Sequence, residues 1–241
     1  DYFIDNRNTL TITQDFGKGR FSNEETQSQE YLESDQSPLY YGSRLAEGRS
    51  TFNRNSTRLS YKHSFPQTGR ELTADITYNR GRNEENSFIE NLFLNPAGAE
   101  YKPATMVRNE GSGNSRQLTF QADYVHPLGE DIKFEAGVRS FHNESRSFFN
   151  AFAVDNTSET KLPLSNNYKY SEMVNAAYVT YSGKTKSFSY QLGLRTEYSK
   201  FTGLLIDSGF KFGYKYPSEI KNIWDAIFPS IFFTKPIGED D

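Results

Sequence analysis

The sequence has 241 residues, three histidines (His63, His126 and His142) and no cysteine. No His-Glu-x-x-His or calcium-loop spacing surrounds those histidines, so no metal-binding set is expected. Without cysteine there is no thiolate site, disulfide or thiol nucleophile. The run Gly111-Ser112-Gly113-Asn114-Ser115 lacks the strand-to-helix setting of a nucleophile elbow and reads as a loop tip. No phosphate-binding or dinucleotide glycine pattern occurs, so no cofactor is expected. The carboxylate pairs Glu84/Glu85 and Asp240/Asp241 fall in polar stretches, where paired charges are ordinary surface. These residues predict no catalytic group and no enzyme. A formal net charge of −4 also argues against a nucleic-acid partner.

Two other groups of residues carry chemistry. One is a set of charges at alternate positions of extended segments: Arg58, Lys62, Asp75, Asp123, Lys133, Glu135, Arg139, Arg195 and Glu197. Mixed signs on one side of a sheet fit cross-strand pairing and the docking of a second element. The other set is aromatic: Tyr40, Tyr41, Tyr101, Phe148, Phe149 and Phe152 sit in polar excursions, where rings supply large contact area at low entropic cost. They are the candidate ligand contacts.

The elements that position these residues follow from a period of two. Leu59, Tyr61, His63 and Phe65 alternate with Arg58, Ser60, Lys62 and Ser64, and Leu72, Ala74, Ile76 and Tyr78 with polar partners, across Pro66-Gln67-Thr68-Gly69. The same unit recurs from Leu118 to Val138 around Pro127-Leu128-Gly129-Glu130, and from Ala177 to Leu194 around Ser182-Gly183-Lys184-Thr185. Partial copies end at Phe16-Gly17-Lys18-Gly19 and Lys235-Pro236-Ile237-Gly238. Strands are expected near Thr9–Phe16, Arg20–Thr26, Thr51–Phe65, Arg70–Asn79, Ser115–His126, Asp131–Phe141, Tyr170–Tyr181, Ser187–Tyr198 and Phe228–Lys235. Between them, long loops are expected over about Gln27–Gly48, Gly81–Gly113, His142–Asn167 and Thr202–Lys221, all at the end opposite the tight turns.

Hydrophobic residues make up 35% of the chain and aromatics 15%. That is too little aliphatic residue for a conventional dry core and too much aromatic for disorder. No apolar run is long enough for a transmembrane helix. Faced alternation with short turns at one end and long loops at the other describes an antiparallel, up-and-down transmembrane β-barrel segment, all-β, with outer-membrane lipid against its apolar face. Phe16, Phe21, Phe65, Tyr124, Phe134, Tyr181, Phe188 and Tyr190 fit an interfacial girdle beside the turns. The competing reading is a soluble, aromatic-rich β-sandwich that binds glycans.

The segments Tyr61-Lys62-His63-Ser64-Phe65-Pro66, Asn175-Ala176-Ala177-Tyr178-Val179-Thr180-Tyr181-Ser182-Gly183, Tyr190-Gln191-Leu192-Gly193-Leu194-Arg195-Thr196-Glu197-Tyr198 and Phe228-Pro229-Ser230 add a resemblance. They resemble the barrel of TonB-dependent receptors of Bacteroidetes, the outer membrane protein beta-barrel family, over approximately Tyr2–Asp241. The resemblance implies a barrel of about twenty-two strands around an N-terminal plug domain, energised nutrient uptake through the TonB complex, and a place in the Gram-negative outer membrane. A SusD-like surface lipoprotein is a possible partner in such receptors. Residues 1–241, with about nine strands, no plug, no TonB box and no terminal strand ending in Phe, are then expected to be part of one barrel domain, an interior slice of the receptor.

Overall fold

The structure is a computed structural model that describes residues 1–155 and 157–235. It contains one antiparallel sheet of eleven strands. In chain order these are β1 (Tyr2–Phe3), β2 (Asn8–Leu32), β3 (Pro38–Ser64), β4 (Glu71–Leu94), β5 (Glu100–Pro127), β6 (Ile132–Val154), β7 (Glu159–Lys161), β8 (Asn166–Lys184), β9 (Ser189–Leu205), β10 (Lys211–Tyr216) and β11 (Ile227–Thr234). Sequential neighbours pair throughout, except that β7 only edges β6, and β10 and β11 share β9 across a 3₁₀ segment at Ile220–Ala226. Among the described residues the first and last strands do not pair with each other, so the described sheet is open.

The tight turns gather at one end. Ile4 N–H donates to Asn8 O (2.9 Å), Phe65 N–H to Arg70 O (3.0 Å), Leu128 N–H to Ile132 O (2.9 Å) and Thr185 N–H to Phe188 O (2.8 Å). Neighbouring turns touch, since Gln67 Nε2 donates to Pro127 O (2.7 Å) and Lys184 N–H to Asp131 O (2.9 Å). Gly69 takes φ of +77°, a conformation that favours glycine, as the Pro-Gln-Thr-Gly signal requires.

Three expectations need correction. Phe16-Gly17-Lys18-Gly19 is not a turn: it lies inside β2, so Thr9–Phe16 and Arg20–Thr26 are one strand. The reason is packing. A Cβ on Gly19 would collide with the Phe52 ring of β3, so the glycine is there to let that ring lie across the strand, with Phe21 stacked on it at 5.4 Å. Second, most of the first three long excursions and half of Thr202–Lys221 are strand: β2 and β3 pair as far as Leu32 and Pro38, and β4 and β5 as far as Leu94 and Glu100. What is left for the connections is short, as at Glu33–Ser37 and Asn95–Ala99. Third, the turn expected at Ser182–Thr185 sits at Thr185–Phe188, because β8 continues to Lys184. The turn expected at Lys235-Pro236-Ile237-Gly238 falls, from Pro236 on, outside the described residues.

The hairpins are therefore far longer than a bilayer requires. A membrane strand needs about 9–11 residues, and β5 has 28. Its apolar-face residues Leu118, Phe120, Ala122, Tyr124 and His126 occupy only the end nearest the turns. Glu100–Gln117, about 60 Å long at about 3.3 Å per residue, form an arm beyond that band.

No second layer packs on this sheet among the described residues. Among the described residues no large side chain is fully buried, and the buried hydrophobic residues are Ala151, Ala176 and Ala226. A glycan-binding sandwich would need a core between two sheets, and a single sheet does not provide one. Leu192 and Leu194 are 43% and 46% exposed, on the same face as Ile12, Leu59, Ile76, Phe120, Val138 and Val179. That face needs an apolar solvent.

In the full-length barrel refolded into vesicles, Leu192→Arg is expected to destabilise by roughly 2–4 kcal/mol if the site is near the midplane. Gln191→Arg, on the opposite face, should cost little. Denaturant titration of both variants checks this, and equal costs would contradict the lipid-facing assignment.

Candidate functional site

Residues directly opposite in a ladder share a face, so the register sorts the candidate residues. Arg58, Lys62, Asp75, Asp123, Lys133, Glu135, Arg139, Arg195 and Glu197 all project from one face. Lys62 aligns through Thr73, Asp123, Gly137 and Tyr178 to Arg195, and Asp75 aligns through Gln121, Arg139 and Ala176 to Glu197. The opposite face carries Leu10, Tyr61, Ala74, Ala122, Val138, Ala177, Thr196 and Ile227 in one continuous row.

The charged face is a hydrogen-bonded surface. Lys62 pairs with Glu71 (2.6 Å), Lys133 with Glu135 (3.1 Å) and Arg195 with Glu197 (2.8 Å). Ser60 donates to Asp75, Arg58 to Thr77 Oγ1 (3.3 Å) and Thr180 to Glu135 (3.4 Å). Asp123 accepts from Gln121 Nε2 (2.8 Å) and from the Tyr178 hydroxyl. Tyr178 was not singled out in the sequence because it stands at a polar position of β8. It reaches Asp123 by crossing Gly137, where a Cβ would collide with both side chains. The signal available was a glycine opposite a tyrosine.

The aromatic candidates divide between the two faces. At the tip of the β2–β5 arms, Tyr40 stacks between Tyr31 (4.2 Å between centroids) and Tyr101 (4.7 Å), with Phe93 edge-on at 6.0 Å. Lys102 Nζ lies 4.0 Å from the Phe93 centroid and 5.0 Å from that of Tyr40, within cation–π range. Tyr40 is on the charged face by register. Tyr41, one residue on, aligns with Leu94 on the other. Phe149 shares the charged face but stands opposite Gly111 on β6, away from the cluster. Phe148 and Phe152 continue the apolar face and are covered by guanidinium groups, Arg146 at 4.6 Å and Arg108 at 4.4 Å. The structure thus brings together Tyr40 and Tyr101 and adds Tyr31, Phe93 and Lys102.

The far ends of the arms are fixed by local polar bonds. Arg108 bonds Glu159 (2.6 Å) and Glu110 (3.0 Å), which holds the Glu159 carboxyl below its ordinary value. Asp155 accepts from the backbone N–H groups of Thr157 and Ser158 (2.8 Å each) and from both hydroxyls, which holds its acid at about 2. Buried Asn167 accepts from Phe149 N–H (3.1 Å) and donates to Asp207 (2.8 Å), tying β6, β8 and the connection after β9.

The family model described as Outer membrane protein beta-barrel family matches residues 63–241. Among solved structures, the ferric citrate transporter FecA in its unliganded form aligns with 95% of this chain and 42% of its own, at 9% identity and a TM-score of 0.40. The ferric yersiniabactin uptake receptor FyuA from Yersinia pestis aligns with 94% of this chain and 42% of its own, at 10% identity and a TM-score of 0.29. The chain spans less than half the length of either. No curated protein matches it.

Gly137→Val should displace the Tyr178 ring from Asp123 and destabilise the barrel by about 1–3 kcal/mol, the usual cost of overpacking. Thermal unfolding of the full-length barrel checks this. If Tyr178→Ala in the same background does not recover part of the loss, the clash is not the cause.

Proposed function

The chain belongs to the outer membrane protein beta-barrel family, and from that premise we propose that it is an arc of the barrel wall of a TonB-dependent receptor of the Bacteroidetes type, acting in active nutrient uptake rather than catalysis. The observation that carries this reading is the division of the sheet, among the described residues, into an apolar face that no second layer covers, the 3₁₀ segment at Ile220–Ala226 reaching only its β8–β9 end, and a face on which nine charged residues of both signs are laid out across the strands. In a closed barrel the first face meets lipid and the second meets the lumen, where a plug domain docks by complementary charge. The resemblance of Asn175–Tyr198 to such receptors supports the same reading.

In this account the tight turns lie in the periplasm and the arms stand outside the cell. The plug lies inside the arc, and its N-terminal segment meets TonB. The cluster of Tyr31, Tyr40, Phe93 and Tyr101 with Lys102 is the first contact for an external nutrient, since rings on a rigid scaffold offer recognition area at small entropic cost. Tyr41, Phe148, Phe149 and Phe152 play secondary parts, because they lie on the other face or away from the cluster. The arms also give a SusD-like lipoprotein a platform above the membrane.

Orientation is checked with single cysteines in the full-length receptor, whose matched region contains none. Cysteine at Ser34 or Ala97 should react with an impermeant maleimide on intact cells, and cysteine at Thr68 or Lys186 should react only after lysis; the reverse pattern contradicts the reading. Growth on limiting nutrients tests the cluster. Tyr40→Ala with Tyr101→Ala should reduce TonB-dependent growth on one nutrient at unchanged surface expression, and unchanged growth on every nutrient would remove the cluster from ligand capture.

A further inference from the structure

From the upper border of the apolar band outward, the outward face carries an uneven charge. Four successive outward rows, those through Tyr78, Arg80, Arg82 and Glu84, contain Lys18, Arg20, Arg80, Arg82, Arg116, Arg146, Lys169, Lys200, Lys211 and Lys215 against only Glu84 and Glu144. The three rows between them on the opposite face hold Arg54 against Asp15 and Glu172. The whole chain is net negative. Basic residues are therefore concentrated on the side that continues the lipid-facing wall, at its upper border.

At the β8–β9–β10 end this belt becomes a groove of about 820 Å³. Lys169, Lys200, Lys211 and Lys215 line it, with Glu144 as its one carboxylate. Among the described residues none of the four lysines has a carboxylate within ion-pair distance, whereas Arg82 of the same belt pairs with Glu84 at 2.6 Å. β10 brings two of these lysines in because it is a short strand: Lys211 and Lys215 align with Leu204 and Lys200, so both stand on the outward face. Clustered cations without counter-charges repel one another, and the arrangement is stabilised when an anion joins them.

We propose that this groove binds the phosphate groups of the glycolipid that forms the outer leaflet of the membrane, its acyl chains lying against the apolar wall directly below. Two features choose this occupant: the charge complementarity of four unpaired lysines, and the continuity of the groove with the lipid-covered face. The lysines stand on the membrane side of the sheet, where a soluble nutrient passing along the lumen does not reach them. The inference rests on the outward orientation of the arms given above.

The test uses the full-length receptor purified in non-ionic detergent, titrated with bisphosphorylated lipid A, with dephosphorylated lipid A and with phosphatidylglycerol, and read by native mass spectrometry. The expected result is retention of bisphosphorylated lipid A that weakens as salt is raised. It should fall by at least on the order of tenfold in the combined variant Lys169→Gln, Lys200→Gln, Lys211→Gln, Lys215→Gln, and by a similar factor for the dephosphorylated lipid. Lys184→Gln with Lys186→Gln, at the turn end, should leave binding unchanged. Heat-modifiable gel mobility reports folding, and if the fourfold Gln variant does not fold, the fourfold Lys→Arg variant and the salt dependence of the native receptor decide. Retention that is insensitive to salt and to dephosphorylation would overturn the proposal, as would equal retention of phosphatidylglycerol, which would assign the groove to any anionic lipid. An inverted cysteine-labelling pattern would instead show that the orientation had failed, whatever lipid is bound.

Discussion

The constraint on which this structure depends is the hydrogen bond that the backbone must make where no water is available. Each N–H or C=O left unpaired in hydrocarbon costs several kcal/mol, so a chain that crosses with strands must join every strand to its neighbour. The ladders here meet that demand from β2 through β6, β8 and β9, with register shifts only at the arm tips, at Tyr31/Leu32 and between Asn91 and Leu94. Once the ladder supplies the cohesion, a protein core is unnecessary. This explains how the chain can hold 20 Phe and 16 Tyr while no large side chain in its described part is fully buried.

Because side chains alternate, the same ladder creates two surfaces with separate chemistry. One is apolar near the turns and basic above them, following the change from hydrocarbon to headgroup along a membrane normal. The other carries charged and polar groups interleaved with single rings such as Phe52 and Phe149, with Arg195–Glu197 and Tyr178–Asp123 among its fixed pairs and an aromatic cluster at its far tip. Glycine mediates at several crossings. Gly19 under Phe52 and Gly137 under Tyr178 show a ring laid across a neighbouring strand at a point where any Cβ would block it. Such pairs fix register locally, which a long polar strand otherwise specifies weakly.

What the sequence made legible was the contrast between the faces. Wherever one face is apolar and the other polar, as in Leu59–Phe65, Leu72–Tyr78 and Leu118–His126, the period of two was visible and the strands are where it put them. The arms were invisible for the same physical reason. Both of their faces are polar, so alternation leaves no hydropathy contrast, and Gln27–Gly48 and Gly81–Gly113 read as loops. The tip signal Asn95-Pro96-Ala97-Gly98, with φ of +82° at Gly98, was nonetheless present and marked the true turn. Gly17 and Gly19 misled because a glycine that makes room for a ring is written like a glycine that turns the chain. The nine charged residues share one face of the ladder, since parity alone decides that. The aromatic candidates were not sorted, because their faces depend on a register carried through some twenty residues of polar strand.

The central claim is that the face bearing Leu118, Phe120, Ala122, Tyr124 and His126 meets lipid over one bilayer thickness and that the rest of β5 stands clear of it. Nitroxide scanning of β5 from Met106 to His126 in the full-length receptor, reconstituted in bilayers, measures this directly through relative accessibility to oxygen and to a water-soluble nickel reagent. The account requires oxygen-favouring values at even positions from Leu118 to His126, the opposite at Thr119, Gln121, Asp123 and Val125, and loss of the oxygen preference on the Met106 side of Gln117. Oxygen preference continuing along the arm, or even positions inaccessible to both reagents as in a protein core, would contradict it.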